Sequence, residues 1–189
     1  MTPQAIWYDW SGLNAQLFRL VNGWHAPWLD ATMIAATALG HPSLYPIYVA
    51  IALLWSRARP ASVPPSNVAV FAVGYVLTSV LAVPALKRVF DFPRPVQALG
   101  EAAVTLVGRP DAIHAFPSGH AAFAVLMAAS LGPGATRPVR WALITFALLV
   151  CASRVSVGAH FPADVLAGAL LALAIAALVR ALVPERSGR

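Results

Sequence analysis

The chain has 189 residues, of which 59% are hydrophobic and only 11% charged, with a formal net charge of +6. A soluble domain is nearer half apolar and a quarter charged, so this composition excludes an ordinary soluble globule and points to the membrane class. The positive balance does not point to nucleic acid either, because no basic helix or aromatic-basic platform stands in a soluble setting.

Residues 2–24 are mixed rather than membrane-spanning. Trp7, Tyr8, Trp10 and Trp24 are ring types found at headgroup level, with Leu13, Leu17, Phe18 and Val21 at helical spacing. The pattern predicts an amphipathic helix on the membrane surface over residues 1–26. The first apolar stretch lacks a basic leader and a small-residue exit, so no cleavable signal peptide is expected. Residues 27–40 and 43–56 are two short apolar segments separated by Gly40-His41-Pro42, and residues 57–67 form a polar turn rich in Pro and Arg. Residues 68–86 are the first clear span, ending at Lys87-Arg88.

Residues 88–117 form the longest polar loop, which holds Arg94, Asp111 and His114. Long ordered loops usually carry function. The next spans are read over 119–131, 141–153 and 161–182, and the tail 184–189 is polar. Cys151 is the lone cysteine and lies in an apolar run, which rules out a disulfide framework or a cysteine zinc site.

A chain of this size holds about six short spans at roughly 20 residues each. The expected fold is therefore all-α: an integral membrane bundle of about six transmembrane helices with an N-terminal interfacial helix. It reads as one domain over 1–189, divided into the interfacial helix (1–26), the bundle (27–183) and a cytoplasmic tail (184–189). With both ends cytoplasmic, Arg19, Arg57, Arg59, Arg137, Arg140, Arg180, Arg186 and Arg189 fall inside. Lys87, Arg88, Arg94, Arg109 and Arg154 fall outside, where an excess of cations calls for another explanation. The alternation of spans brings the 88–117 loop, the Ser118 helix start and the Arg154-to-Asp164 turn to one face.

Phe116-Pro117-Ser118-Gly119-His120 opens an apolar run. Pro117 discourages a helix before it, and Ser118 is a good N-cap whose side-chain oxygen can take a backbone N–H. Such a start, with the Gly119 amide unobstructed, presents the positive end of a helix dipole to an anion. His120 stands in the first turn beside it. Lys87 and Arg94 flank the loop start; they suit phosphate oxygens, although basic residues at span ends more commonly snorkel to the interface. His160 and Asp164 are four apart and can meet over one helical turn. A carboxylate on one ring nitrogen fixes the tautomer and frees the other to attack, although a purely structural pair has the same spacing.

The order of these residues resembles a family signature. Lys87, then Arg94-Pro95, then Pro117-Ser118-Gly119-His120, then Ser153-Arg154 with His160 and Asp164 resembles the tripartite motif of the type-2 phosphatidic acid phosphatase superfamily. All motif positions match over residues 87–164, with one modest departure at Phe92, where many relatives carry another arginine. The resemblance implies a metal-independent phosphatase, without cofactor, that works through a phosphohistidine. By position, His160 is then the nucleophile, Asp164 its orienting partner, and His120 the acid and later the base. Lys87, Arg94 and Arg154, with Ser118 and the Gly119 amide, hold the phosphoryl oxygens. His114 has no motif counterpart and is read as a loop residue within reach of a headgroup; Asp30 and His41 are read as interfacial or packing residues.

The expected substrate is a membrane lipid phosphate: undecaprenyl diphosphate first, by analogy, with phosphatidylglycerol phosphate, phosphatidic acid and lipid A phosphates as alternatives. The expected location is a bacterial inner membrane, with the site facing the periplasm. The same signature occurs in soluble vanadium-dependent haloperoxidases, against which the apolar spans argue. A non-catalytic lipid-binding or transport bundle is the other rival, and nothing in it would require His120 and His160 together.

Overall fold

The computed structural model describes residues 6–108 and 114–183. Arg109 and Asp111 of the long loop, the tail 184–189 and the Trp7 side chain lie outside the described residues. Within them the chain is helical, with no strand: α1 (Ile6–Asp9), α2 (Leu13–Asn22), α3 (Pro27–Leu39), α4 (Tyr45–Ala58), α5 (Pro65–Val89), α6 (Pro95–Leu99), α7 (Gly119–Leu131), α8 (Arg137–Ser156) and α9 (Pro162–Leu182).

Proline sets most of the starts. Pro27, Pro46, Pro65, Pro138 and Pro162 each sit in a first turn, where the missing N–H has no intrahelical partner to lose. Pro84 falls inside α5 instead, and removes the N–H that the Val80 carbonyl would accept. The turn before it, Val76–Ala82, is wound as a π-helix.

The helices α5, α8 and α9, with 25, 20 and 21 residues, are long and apolar enough to cross a membrane. They coincide with the spans read at 68–86, 141–153 and 161–182. The segments 27–40 and 43–56, expected as two spans, instead form a single bent pair with an angle of 52° at Gly40-His41-Pro42. The chain continues through that break rather than reversing. By length and composition this gives three spans, or four with the bent pair, fewer than the six expected.

The fifth apolar helix, α7, has 13 residues and so reaches only about 20 Å, short of a hydrocarbon core of about 30 Å. It is the centre of the bundle rather than a lipid-facing helix. Ala121, Ala122, Phe123, Ala124 and Leu126 are all fully buried, and a helix apolar all round is one surrounded by protein. Its start lies at the Lys87 end of α5, against Val83. Its last turn meets the start of α5, where Asn67 donates to the Leu131 and Pro133 carbonyls. Phe71, Phe123, Leu126, Met127, Ala172 and Ala176 make the core between α5, α7 and α9.

The expected interfacial helix is two short helices docked into the protein. Tyr8, Asn14, Phe18 and Asn22 are buried, while Leu20 and Trp24 face outward. Asn14 takes the Ala163 N–H on Oδ1, and Asn22 donates to the Thr105 and Ser156 carbonyls. Residues 6–22, Arg19 included, thus sit at the end of the bundle that holds Ser156 and Ala163. The charge reading placed Arg19 at the opposite end. The reason is the bent pair: counting it once removes one crossing from the alternation.

Candidate active site

The turn joining α8 to α9 carries most of the expected residues. The Arg154 carbonyl accepts both the Ala159 and His160 N–H groups, at 3.1 and 3.0 Å, which folds His160 back over Arg154. Gly158 permits this fold with φ of +78°, and a Cβ there would meet the Thr105 carbonyl oxygen at 2.7 Å. Then α9 begins at Pro162, and Asp164 in its first turn takes the Phe161 N–H on Oδ2 at 2.9 Å. The same oxygen faces His160 Nδ1 at 3.3 Å, and both residues are buried.

Asp164 Oδ1 accepts a third hydrogen bond, from the Tyr8 hydroxyl at 2.9 Å. Both carboxylate oxygens therefore act as acceptors. That places the imidazole proton on Nδ1 and makes Nε2 the unprotonated, nucleophilic nitrogen of the ring. Burial, then the Asp164 charge and its hydrogen bond, hold the Tyr8 phenol far above its ordinary range, so it stays a donor.

The cations converge on this pair. Arg94 is almost fully buried at the start of α6 and donates from one guanidinium nitrogen to the Ala159 carbonyl at 2.9 Å. Arg154, also buried, donates to Thr37 Oγ1 at 3.1 Å. Thr37 Oγ1 lies 2.8 Å from Ser153 Oγ, whose own proton goes to the Val150 carbonyl, so Thr37 passes its hydrogen to Ser153. Lys87 stands half-buried in the last turn of α5. His120 lies within electrostatic reach of Arg154, His41, His160 and Lys87, and Asp164 within reach of Arg94 and Lys87. All eight residues expected from the sequence belong to this end of the bundle.

The start of α7 is stitched to the start of α9. The Ser118 N–H donates to the Asp164 carbonyl at 2.9 Å, and Gly168 passes so close that a Cβ would meet the Ser118 carbonyl oxygen at 2.5 Å. Ser118 is the N-cap residue, but its side chain makes no capping bond; its buried Oγ has no hydrogen-bond partner. This differs from the expected cap. The hydroxyl stands at a helix start, a place where an anion's oxygen can accept from it.

Several contributors were not readable from the motifs. Tyr8 lies in the mixed N-terminal stretch, where it reads only as a headgroup-level ring, and Thr37 lies in an apolar segment and carries no local signal. His41 was set aside as a packing residue, yet its ring stands edge-on 5.0 Å from that of His120. His41 Nδ1 accepts the Ser43 N–H, so its tautomer is fixed at the helix break. His114, read as a loop residue within reach of a headgroup, contacts Asp91 at 2.7 Å. Asp30 pairs with His25 at 2.9 Å beside the start of α3.

The PAP2 superfamily model matches residues 67–187. Undecaprenyl-diphosphatase of Sulfolobus acidocaldarius is 32% identical over 162 residues, covering 85% of this chain and 73% of that protein. Among solved structures, LpxE of Aquifex aeolicus superposes with a TM-score of 0.77 at 27% identity, covering 88% of this chain and 94% of that one. A PAP2 type phosphatidylglycerolphosphate phosphatase from Bacillus subtilis shares the fold with a TM-score of 0.70 at 24% identity, over 96% and 89% of the two chains. The chain belongs to the PAP2 superfamily, as an enzyme of the lipid-phosphatase class and an integral membrane protein.

Proposed function

We propose that the chain hydrolyses a lipid phosphate or diphosphate through a phosphohistidine, with undecaprenyl diphosphate as the leading substrate. The observation that carries this reading is the buried His160–Asp164 pair, with Lys87, Arg94 and Arg154 gathered at the same end of the bundle as the Ser118 helix start. In the first step His160 Nε2 attacks phosphorus and the bond to the leaving oxygen breaks. His120 gives that oxygen a proton, and Asp164 holds the imidazolium that forms on His160. In the second step a water attacks the phosphohistidine, His120 takes its proton, and the P–N bond breaks to release inorganic phosphate.

Phosphoryl transfer asks mainly for positioning and for compensation of spread negative charge. Here the cations and the α7 start supply it. Among the described residues no three His, Cys, Asp or Glu side chains cluster as metal ligands do. The diphosphate is favoured by the likeness to a protein named undecaprenyl-diphosphatase. Phosphatidylglycerol phosphate, phosphatidic acid and lipid A phosphates are the alternatives. We place the site on the outer face, the periplasmic one in a bacterial inner membrane. We take the described helices as one catalytic unit crossing the bilayer five times: the bent α3–α4 pair, α5, α7, α8 and α9.

The test is phosphate release by purified protein from a panel of lipid phosphates with excess chelator present throughout. The expected result is release that is fastest on the polyprenyl diphosphate and absent in His160→Ala. Lipid binding without phosphate release would support the transport reading instead. Halide oxidation on adding vanadate would support the peroxidase one.

A further inference from the structure

The N-terminal segment supplies a group that the three motifs do not contain. We propose that Tyr8 is a positioning residue of the active site: its hydroxyl, donated to Asp164 Oδ1, fixes the carboxylate plane that orients His160. The inference rests on the phosphohistidine reading above.

A carboxylate held through one oxygen can still swing about its Cβ–Cγ bond. Asp164 Oδ2 serves both the Phe161 N–H and His160 Nδ1, at 2.9 and 3.3 Å. The Tyr8 bond to Oδ1 at 2.9 Å is the third point that stops the swing. The donor comes from 156 residues away in the sequence, so no helix geometry supplies it. It is itself held on both sides. The Tyr8 ring packs against Phe92, Phe116 and Phe161, with centroids 4.2, 5.8 and 6.3 Å away. The Tyr8 carbonyl accepts from Asn14 Nδ2 at 3.0 Å, while Asn14 Oδ1 takes the Ala163 N–H at 3.0 Å. Asn14 thus ties the Tyr8 backbone to the same first turn of α9 that carries Asp164.

Packing alone does not account for the hydroxyl. The neighbouring rings are phenylalanines, and the single phenol among them is 1% exposed and aimed at a carboxylate. An unpaired buried hydroxyl would cost more than a phenylalanine in its place. The charged and titratable groups facing Asp164 are His160, Tyr8, Arg94 and Lys87. Of these, Tyr8 alone touches Oδ1, and its phenol stays a donor.

The experiment uses full-length protein in lipid or detergent, with Tyr8→Phe, which keeps the ring and removes the hydroxyl. Outer contacts of this kind are typically worth roughly 10–100-fold. Phosphoenzyme formation should slow by about that factor, KM should stay within about twofold, and the slowing should be equal for nitrophenyl phosphate and a lipid diphosphate. The acid limb of the rate should move to higher pH, because a buried carboxylate that loses a donor takes a proton more readily. Phe18→Leu loosens the same aromatic cluster without touching Asp164, and should lower the melting temperature with the acid limb in place. Site-specific 3-fluorotyrosine at position 8, a stronger donor of the same shape, should move the limb to lower pH even where Tyr8→Phe folds poorly. Unchanged formation rates and pH profiles in both Tyr8 variants, with His160→Ala inactive, would overturn the assignment of Tyr8. Turnover surviving in His160→Ala would instead overturn the phosphohistidine reading on which it rests.

Discussion

Ser118 shows how one side chain's role changes once its partners are known. As an ordinary N-cap, its replacement by alanine would cost about 1 kcal/mol of stability. Its hydroxyl makes no capping bond here, so Ser118→Ala should leave the melting temperature unchanged or slightly raised. Turnover should nevertheless fall, because an oxygen-facing donor is lost; steady-state kinetics beside a thermal melt separate the two. Thr37 tests the opposite case, a residue acting through another. Thr37→Val removes the acceptor for Arg154, and one hydrogen bond of about 1 kcal/mol predicts a loss in kcat/KM of roughly fivefold. Arg154→Lys should cost more, since a lysine cannot hold Thr37 and a phosphoryl oxygen on one planar fork. The motif residues were legible because a spaced set of charged groups stands out in an apolar chain. Thr37, Tyr8 and His41 were not, because a small or amphipathic side chain outside the motifs looks the same whether it faces lipid, headgroups or a buried polar group.

At the level of helices, apolar length predicted α5, α8 and α9 well, and prolines marked their starts. Periodicity does not carry the angle between successive helices. The Gly40-His41-Pro42 break was therefore visible while its 52° bend was not, and the two expected spans form a bent pair. Nor does composition say whether a short apolar helix faces lipid or protein, which is why α7 was read as a span like the others. The tightest joint is between α7 and α9 at Gly168. Gly168→Ala would place a Cβ 2.5 Å from the Ser118 carbonyl, and backbone can move away only by parting the two helix starts. Overpacking of this kind typically costs about 1–3 kcal/mol, so both the melting temperature and turnover should drop. Full activity in Gly168→Ala would mean that the spacing of the two helix starts does not matter to the site.

Across the molecule, the two ends differ in charge. Among the described residues Asp9, Asp30, Asp91, Glu101 and Asp164 lie at the site end and are balanced there by Arg19, Lys87, Arg88, Arg94 and Arg154. Arg57, Arg59, Arg137, Arg140 and Arg180 lie at the other, as the positive-inside rule asks of a cytoplasmic face. In a Cys151→Ala background, cysteines placed at Arg19 and Glu101 should react with an impermeant label from the outside, and those at Arg59 and Arg140 only from within. Labelling of Arg19→Cys from the inside alone would contradict the docking of the N-terminal helices at the site end. On the proposed reading charge compensation comes from side chains of α5 and α8 and from Arg94 just before α6, so activity should persist in excess EDTA. Complete loss restored by a divalent ion would contradict that account. The central claim is that these distant residues form one phosphohistidine site with His120 as the acid, and rapid-quench trapping of the acid-labile phosphoenzyme in His120→Ala tests it most directly. A monoester leaves as a basic alkoxide and needs the proton, whereas a lipid phosphate or nitrophenolate needs it far less. Formation should therefore fall by roughly 10²–10⁴-fold for phosphatidic acid and much less for a diphosphate or nitrophenyl phosphate. Equal slowing whatever the leaving group, or no trapped phosphohistidine with any substrate, would contradict it.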